Sequence, residues 1–306
     1  MVPTVGGLAP QRDWPLGPSQ GQRAQAEAHL ATALRMYDTA SMGAGVSRSP
    51  LDDFLGESPA ATALRDSVRR LLGRLAGQQV LPPVRLVGEA GAGKDLLADV
   101  LHRAGPRNGK PFVNVRVSAI PATLLEPELL GWEDPARERG GWGHSGFIRA
   151  AHQGTLAMSE FDLVDHLGGM LAEILRRGTV RRVNGACDEP ADVWLIGTTH
   201  RELDVAAPLR PVVLRVPPLR ERGDDVLLLA EHYLARFARD HQRPARTLSR
   251  RERVALRAYY WPGNVRQLMQ HMESAVVVPE RRIDPHLSPP VRPTIKTRPR
   301  PPVWYQ

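Results

Sequence analysis

The sequence predicts an α/β fold, with a parallel sheet covered by helices on both faces and a separate helical subdomain after it. Three observations carry this. Short apolar runs alternate with stretches of helical periodicity from Val84 to Val216, the order that yields parallel strands joined by crossover helices. A glycine-rich loop, GEAGAGKD from Gly88 to Asp95, lies between the first apolar run and an amphipathic stretch. From Asp224 onward the apolar period is helical alone.

In chain order, residues 1–50 are rich in Gly, Pro, Ser and Gln and read as a mobile arm with one helical island from Gln20 to Tyr37. The core spans 51–222. Leu64, Val68, Leu71, Leu72 and Leu75 recur at helical spacing ahead of the Pro82-Pro83 break. Val84–Val87 is the first strand and Leu96–Leu101 opens the helix after the loop. Pro111–Val117 is the second strand and Pro121–Leu130 a short helix. Residues 131–150 mix charge and glycine without either period, so an exposed loop or insertion is expected. Thr155–Met158 is a third strand ending at Ser159-Glu160. The stripe Leu163, Leu167, Met170, Leu171, Ile174 and Leu175 is a helix closed by Gly178. Val193–Gly197 and Val212–Val216 complete the strands. Residues 223–280 form the helical subdomain, with a helix carrying Val226, Leu229, Tyr233 and Phe237 on one face, a second capped by Ser249, and a third from Gly263 to Val278. Residues 281–306, proline-rich and basic, read as a disordered tail without a core.

The balance of 41 Lys and Arg against 33 Asp and Glu, +8 overall, permits an acidic partner without requiring one. Cys187 is the only cysteine, which excludes an intrachain disulfide and a cysteine-built metal site and fits a reducing compartment. No apolar run approaches the ~20 residues of a membrane span, and the N-terminus has no basic-then-apolar leader pattern. A cytoplasmic location without membrane contact is therefore expected.

Gly88, Gly93 and Lys94 stand at the spacing of a phosphate-binding loop, where backbone N–H groups at a helix N-terminus and a lysine cradle a triphosphate. The nucleotide-binding residues are then Gly88, Glu89, Ala90, Gly91, Ala92, Gly93, Lys94, Asp95 and Leu96. Asp95 takes the place of the Ser or Thr whose hydroxyl usually reaches Mg²⁺, so the loop by itself points to binding more strongly than to hydrolysis.

With Phe54–Pro59, GEAGAGKD, Lys110–Val113, Leu124–Gly131, Gly154–Leu156, Pro217–Arg222 and Trp261–Leu268 in order, the chain from about Phe54 to Val278 resembles the AAA+ domain of sigma-54-dependent enhancer-binding transcription activators. The resemblance implies a P-loop αβα sandwich with a C-terminal helical lid, binding ATP and Mg²⁺ in a homo-oligomeric ring and acting on sigma factor and RNA polymerase. In that family an acidic residue after the lysine is ordinary. The resemblance further implies that Lys94 holds the β/γ phosphates, that Glu160 orients the attacking water, that Thr199-His200 is the first sensor and that Arg266 is the lid's sensor arginine. It places the adenine near Leu55 and Gly56, and the metal near Asp95 and Ser159.

Three departures from the family pattern bear on mechanism. Ser159 stands where the family has a metal-linked aspartate, with Asp162 the nearest substitute. The sigma-gripping sequence GAFTGA falls on Pro135–Gly140, where only Ala136 matches. The segment from Leu203 to Pro217 is short and lacks the arginine fingers, leaving Arg210 as the nearby candidate. An arginine finger contributes ~10³–10⁵ in rate, so slow or lost ATPase is expected, as is an alternative role as a pseudo-ATPase acting on AAA+ relatives or another assembly. No helix-turn-helix is legible after Val278, which leaves DNA binding unsupported, and the basic tail reads as a solvated charge run.

Glu160 can be a strand-end carboxylate, and Arg266 a salt-bridging residue within the lid. His144, His152 and His166, with Glu133 and Asp134, match no metal-ligand spacing and read as solvated loop polars.

Overall fold

The computed structural model describes residues 49–133, 143–201, 209–244, 246–278 and 283. The expected arm, the Pro135–Gly140 stretch, residues 202–208 and nearly all of the tail lie outside them.

Helix α1 (Pro59–Leu75) starts on Ser58, whose hydroxyl accepts from the Ala61 N–H, with proline at its first position. After β1 (Val84–Val87) come the phosphate loop and α2 (Lys94–Ala104), then β2 (Phe112–Arg116). Helix α3 is shorter than its pattern, Leu125–Leu130, because Pro121–Leu124 forms only a turn closed by the Leu124 N–H on the Pro121 carbonyl. The stubs β3 (Trp132–Glu133) and β4 (Gly143–His144) pair antiparallel, and α4 (Gly146–Ala150) follows. The expectation of an exposed loop over 131–150 is thus corrected for its two ends. Trp132, Phe147 and Ile148 are buried because they pack into the core, and pairs of two residues are too short to show a period.

Strand β5 (Thr155–Ser159) leads through a 3₁₀ segment, Phe161–Leu167, into α5 (Gly168–Arg177). Gly178 ends α5 in the left-handed region at φ 67°, its N–H donating to Ile174. A hairpin of β6 (Thr179–Arg181) and β7 (Asp188–Pro190), not legible in the sequence, precedes β8 (Trp194–Thr199) and β9 (Val212–Arg215).

The main sheet is parallel throughout, in the order β2-β5-β8-β1-β9. Alternation along the strands assigns each face its own layer. Val113, Val115, Leu156, Met158 and Leu195 join α3, α4 and α5 on one side, while Phe112, Ala157, Trp194, Ile196 and Leu86 join α1 and α2 on the other. Leu97 and Leu101 of α2 are at most 1% exposed, and burial of such a side chain is worth ~1.5–3 kcal/mol each. This αβα sandwich is the expected α/β class.

The lid is a third core, built from α6 (Asp225–Asp240), α7 (Arg250–Ala258) and α8 (Asn264–Val277) around Leu234, Leu256, Leu268 and Met272. A full capping box, Ser249 with Glu252, opens α7. Ile283 is buried in this core and donates its N–H to Glu252, so the expected lid boundary at 280 moves outward to include it. Among the described residues no helix is long and apolar enough to cross a membrane.

Candidate functional site

The C-terminal ends of β1, β5 and β8 converge on the loop Gly88–Asp95, the edge of an open α/β sheet where ligands bind. Gly91 and Gly93 hold φ of 76° and 104°, a region costly for any other residue, and so turn the loop into the N-terminus of α2. The Gly88 N–H donates to the Thr199 carbonyl at 3.1 Å, tying the loop to β8. Lys94 Nζ donates to the Gly88 and Glu89 carbonyls at 2.8 and 2.9 Å. Burial pushes the Lys94 ammonium below its ordinary pKa of 10.5; Asp95 opposes that shift and Arg266 adds to it.

A cavity of about 300 Å³ opens beside Lys94, the lower end of the range for small-molecule sites. Core and lid both line it. The core gives Gly91, Lys94, Asp95, Ser159, Glu160 and His200, and the lid gives Tyr233, Val265, Arg266 and Met269. Glu160 has φ 61°, strained for a residue with a side chain and of the kind concentrated at functional sites. A larger cavity, about 560 Å³, lies between α1 and the free edge of β9, but neither Lys94 nor Glu160 lines it.

Of the expected residues, Ala90, Gly91, Gly93, Lys94, Asp95, Leu96, Ser159, Glu160, His200 and Arg266 meet at the cavity beside Lys94, whereas Gly88 and Glu89 line the larger one and Ala92 lines neither. Leu55 and Gly56 stand apart from that lining. The Leu55 carbonyl accepts from Arg222, and a Cβ at Gly56 would lie 2.5 Å from Asp225 and 2.6 Å from Arg222. Ser159 donates its hydroxyl to Asp95 Oδ1 at 2.9 Å. Asp162 does not turn to the metal side. It accepts from the Thr199 hydroxyl at 3.0 Å and lies 3.9 and 4.0 Å from His200 and Arg201. Among the described residues no carboxylate pairs with Arg266, which leaves the salt-bridge alternative unrealised; its N–H donates to the Gly91 carbonyl at 3.3 Å. Arg210 lies two residues before Val212, which is level with Val84 at the start of β1, itself four residues and roughly 13 Å from the loop at ~3.3 Å per residue.

Sequence reasoning missed how the lid is fastened. Arg220 clamps the Glu89 carboxylate at 2.8 and 2.6 Å while its guanidinium stacks 4.7 Å over Tyr260. Asn264 donates to Glu89 at 3.1 Å and to the Ala90 carbonyl at 3.0 Å, and accepts from the Leu219 N–H at 2.8 Å. The Arg220 hydrogen bonds, helped by Asn264, hold Glu89 below the usual carboxylate pKa against partial burial. Arg116, at the end of β2, also lines the cavity and was missed; its place at a strand's C-terminal end is the signal that could have found it.

His144 corrects the reading of the histidines as solvated polars. It is 8% exposed, its Nε2 3.6 Å from Glu128 Oε2, and neither atom has a hydrogen-bond partner. His152 accepts from the Asp192 N–H at 3.1 Å. Among the described residues no group of three His, Cys, Asp or Glu could hold a metal ion.

Residues 55–209 match the Sigma-54 interaction domain and residues 220–294 the AAA+ ATPase lid domain. The response regulator protein PilR of Pseudomonas aeruginosa is 36% identical over 271 residues, 84% of this chain and 58% of its own length. The DNA-binding transcriptional regulator NtrC of Escherichia coli is 36% identical over 231 residues, 72% of this chain and 48% of its own. The chain thus spans about half the length of these relatives. Among solved structures, NtrX from Brucella abortus in complex with ATP superposes with a TM-score of 0.66 at 25% identity, over 89% of this chain and 64% of that one. With a sequence match over half its length, a phosphate loop at the sheet edge and a lid closing over it, the chain belongs to the sigma-54 interaction domain family of AAA+ proteins.

Proposed function

We propose that this chain binds ATP in the cavity between the phosphate loop and the lid and acts in transcription regulation through a sigma factor and RNA polymerase, with slow or lost ATP hydrolysis. The observation that carries the reading is the convergence of Lys94, Glu160 and Arg266 on one cavity walled by both core and lid. ATP in the Brucella NtrX complex supports the choice of nucleotide. Lys94 holds the phosphates, Glu160 orients water, and Arg266 reports nucleotide to the lid. Turnover is slow because Ser159 brings a hydroxyl, already donated to Asp95, where a carboxylate would help organise the reacting phosphates, and because the short segment from Leu203 to Pro217 lacks the arginine fingers. A ring of copies would place a neighbour at the cavity mouth.

The test is ATP affinity of the wild type and of Lys94→Ala. Binding by the wild type with a large loss in the variant is expected; equal binding by both, or by neither, rejects the site. Steady-state hydrolysis is expected near background, and several turnovers per second would show that Ser159 is compensated.

A second reading, a pseudo-ATPase scaffold that joins or caps rings of AAA+ relatives, is favoured by the departure of Pro135–Gly140 from the sigma-gripping sequence. ATP-dependent recovery of sigma factor on the immobilised chain would reject it. Recovery of an AAA+ paralogue without sigma factor would favour it.

A further inference from the structure

Resting on the cavity as an ATP site, we infer that the triphosphate binds here without a divalent metal, and that Arg116 supplies positive charge a metal would otherwise bring. Three cationic side chains, Lys94, Arg116 and Arg266, line the cavity against two carboxylates, Asp95 and Glu160. An unliganded cluster of this kind repels itself in a partly desolvated space, and a polyanion relieves the repulsion.

The oxygen donors do not fit a tightly held Mg²⁺. That ion demands near-octahedral oxygen ligation and is usually held by one or two carboxylates together with phosphates and water. Asp95 Oδ1 is engaged by the Ser159 hydroxyl at 2.9 Å. The residue after Lys94 offers no hydroxyl. Asp162, the other acid near the end of β5, is held by Thr199 and faces His200 and Arg201. A dication would enter beside three cations, with only Asp95, already engaged by Ser159, and Glu160 to offset its charge.

Arg116 is placed to take over that charge. It is the last residue of β2, and its Cα pairs in register with Ser159 on β5. The guanidinium therefore starts from the strand next to the position where the metal-side carboxylate is missing. Arg116 is exposed, and among the described residues it has no ion-pair partner. A free guanidinium can bind two phosphate oxygens at once and remains charged at any ordinary pH. Lys94 approaches from the loop, Arg266 from the lid and Arg116 from β2, so the phosphates would be met from three elements without a bridging ion.

The experiment is calorimetric titration of the full chain with ATP, in excess MgCl₂ and in excess EDTA, for the wild type, Arg116→Ala, Arg116→Lys and Ser159→Asp. Wild-type affinity is expected to agree between the two conditions within about threefold. Arg116→Ala should lose about tenfold or more in EDTA and recover part of it in Mg²⁺, with Arg116→Lys intermediate. Ser159→Asp should become metal-dependent. A melting temperature for Arg116→Ala equal to the wild type's confirms that the loss is not unfolding. Wild-type binding that falls more than about tenfold in EDTA overturns the inference, as does an Arg116→Ala variant that binds like the wild type in EDTA. Absence of wild-type binding in both conditions rejects the ATP site itself, and the metal-free reading with it.

Discussion

Arg220 grips Glu89 with two hydrogen bonds, 2.8 and 2.6 Å long, across 131 positions of sequence. The second residue of the phosphate loop is thereby held by the segment that leads into the lid. Both side chains are partly exposed, so Arg220→Ala should cost only about 0.5–1 kcal/mol of global stability. Its larger effect is local: hydrogen exchange at Ala90–Lys94 and in the first turn of α8 should quicken. Unchanged exchange in both places would show that the clamp does not fasten the lid.

Gly91 offers a sharper probe of the same contact. A Cβ there would lie 2.3 Å from the Gly263 carbonyl oxygen and 3.0 Å from the Arg266 Cβ, on a backbone at φ 76°. Gly91→Ala should destabilise by about 1–3 kcal/mol and weaken ATP binding by pushing α8 outward. Gly169, within α5 and with open space around it, is the control, where alanine should stabilise by about 0.5–1 kcal/mol. Urea denaturation of the two variants decides.

Beneath the lid, Arg222 and Asp225 form a pair 2% and 3% exposed at 3.2 Å. Asp225 also accepts from the Ser58 hydroxyl at 2.7 Å and from the Glu57 and Ser58 N–H groups at 2.7 and 2.9 Å. Removing one partner strands the other, so Asp225→Ala should cost about 3–5 kcal/mol. Burial raises the Asp225 pKa, but the hydrogen bonds from Ser58 and Glu57 and the Arg222 charge outweigh it and hold the carboxyl below 3.8. The folded state therefore binds the proton less readily than the unfolded chain. This stabilisation is complete above pH 3.8 and is lost as pH falls from there through the lower folded value. Wild-type stability should fall in that window, and the fall should be shallower in Asp225→Ala.

Lys94 titrates with the opposite consequence. Burial lowers its pKa beneath 10.5, so the ligand-free protein begins to lose the lysine proton before an ordinary lysine would. A triphosphate favours the charged form. ATP affinity should decline as pH rises toward 10.5, with proton uptake on binding in that range. Calorimetry in buffers of different ionisation enthalpy measures the uptake.

Elements with a long apolar period were legible because burial itself writes the pattern. The stripe Leu64, Val68, Leu71 and Leu75 and the run Val84–Val87 are buried as expected. The stubs Trp132–Glu133 and Gly143–His144 were not, since strands of two residues are too short to show a period. At the site, the loop was legible from its glycines and lysine, whose spacing is local. Arg220 and Asn264 were not assigned their contacts, because each meets a partner more than a hundred residues away and no local pattern marks it; Arg116 reaches the cavity only through the register of β2 beside β5.

Trp261 and Asn264, both at positive φ (54° and 50°), frame the turn from α7 into α8. Such backbone costs about 1–3 kcal/mol for a residue like tryptophan and persists only where its surroundings over-determine it. Part of that surrounding is not in the lid at all: the Asn264 amide reaches Glu89 and Ala90. Excised from the core, the three lid helices would keep their apolar centre yet lose what holds this corner, and the fragment should relax there first. The lid's native shape is accordingly a property of the whole fold, and a change at the loop that frees Asn264 reaches the helix–helix joint without moving either helix's core residues.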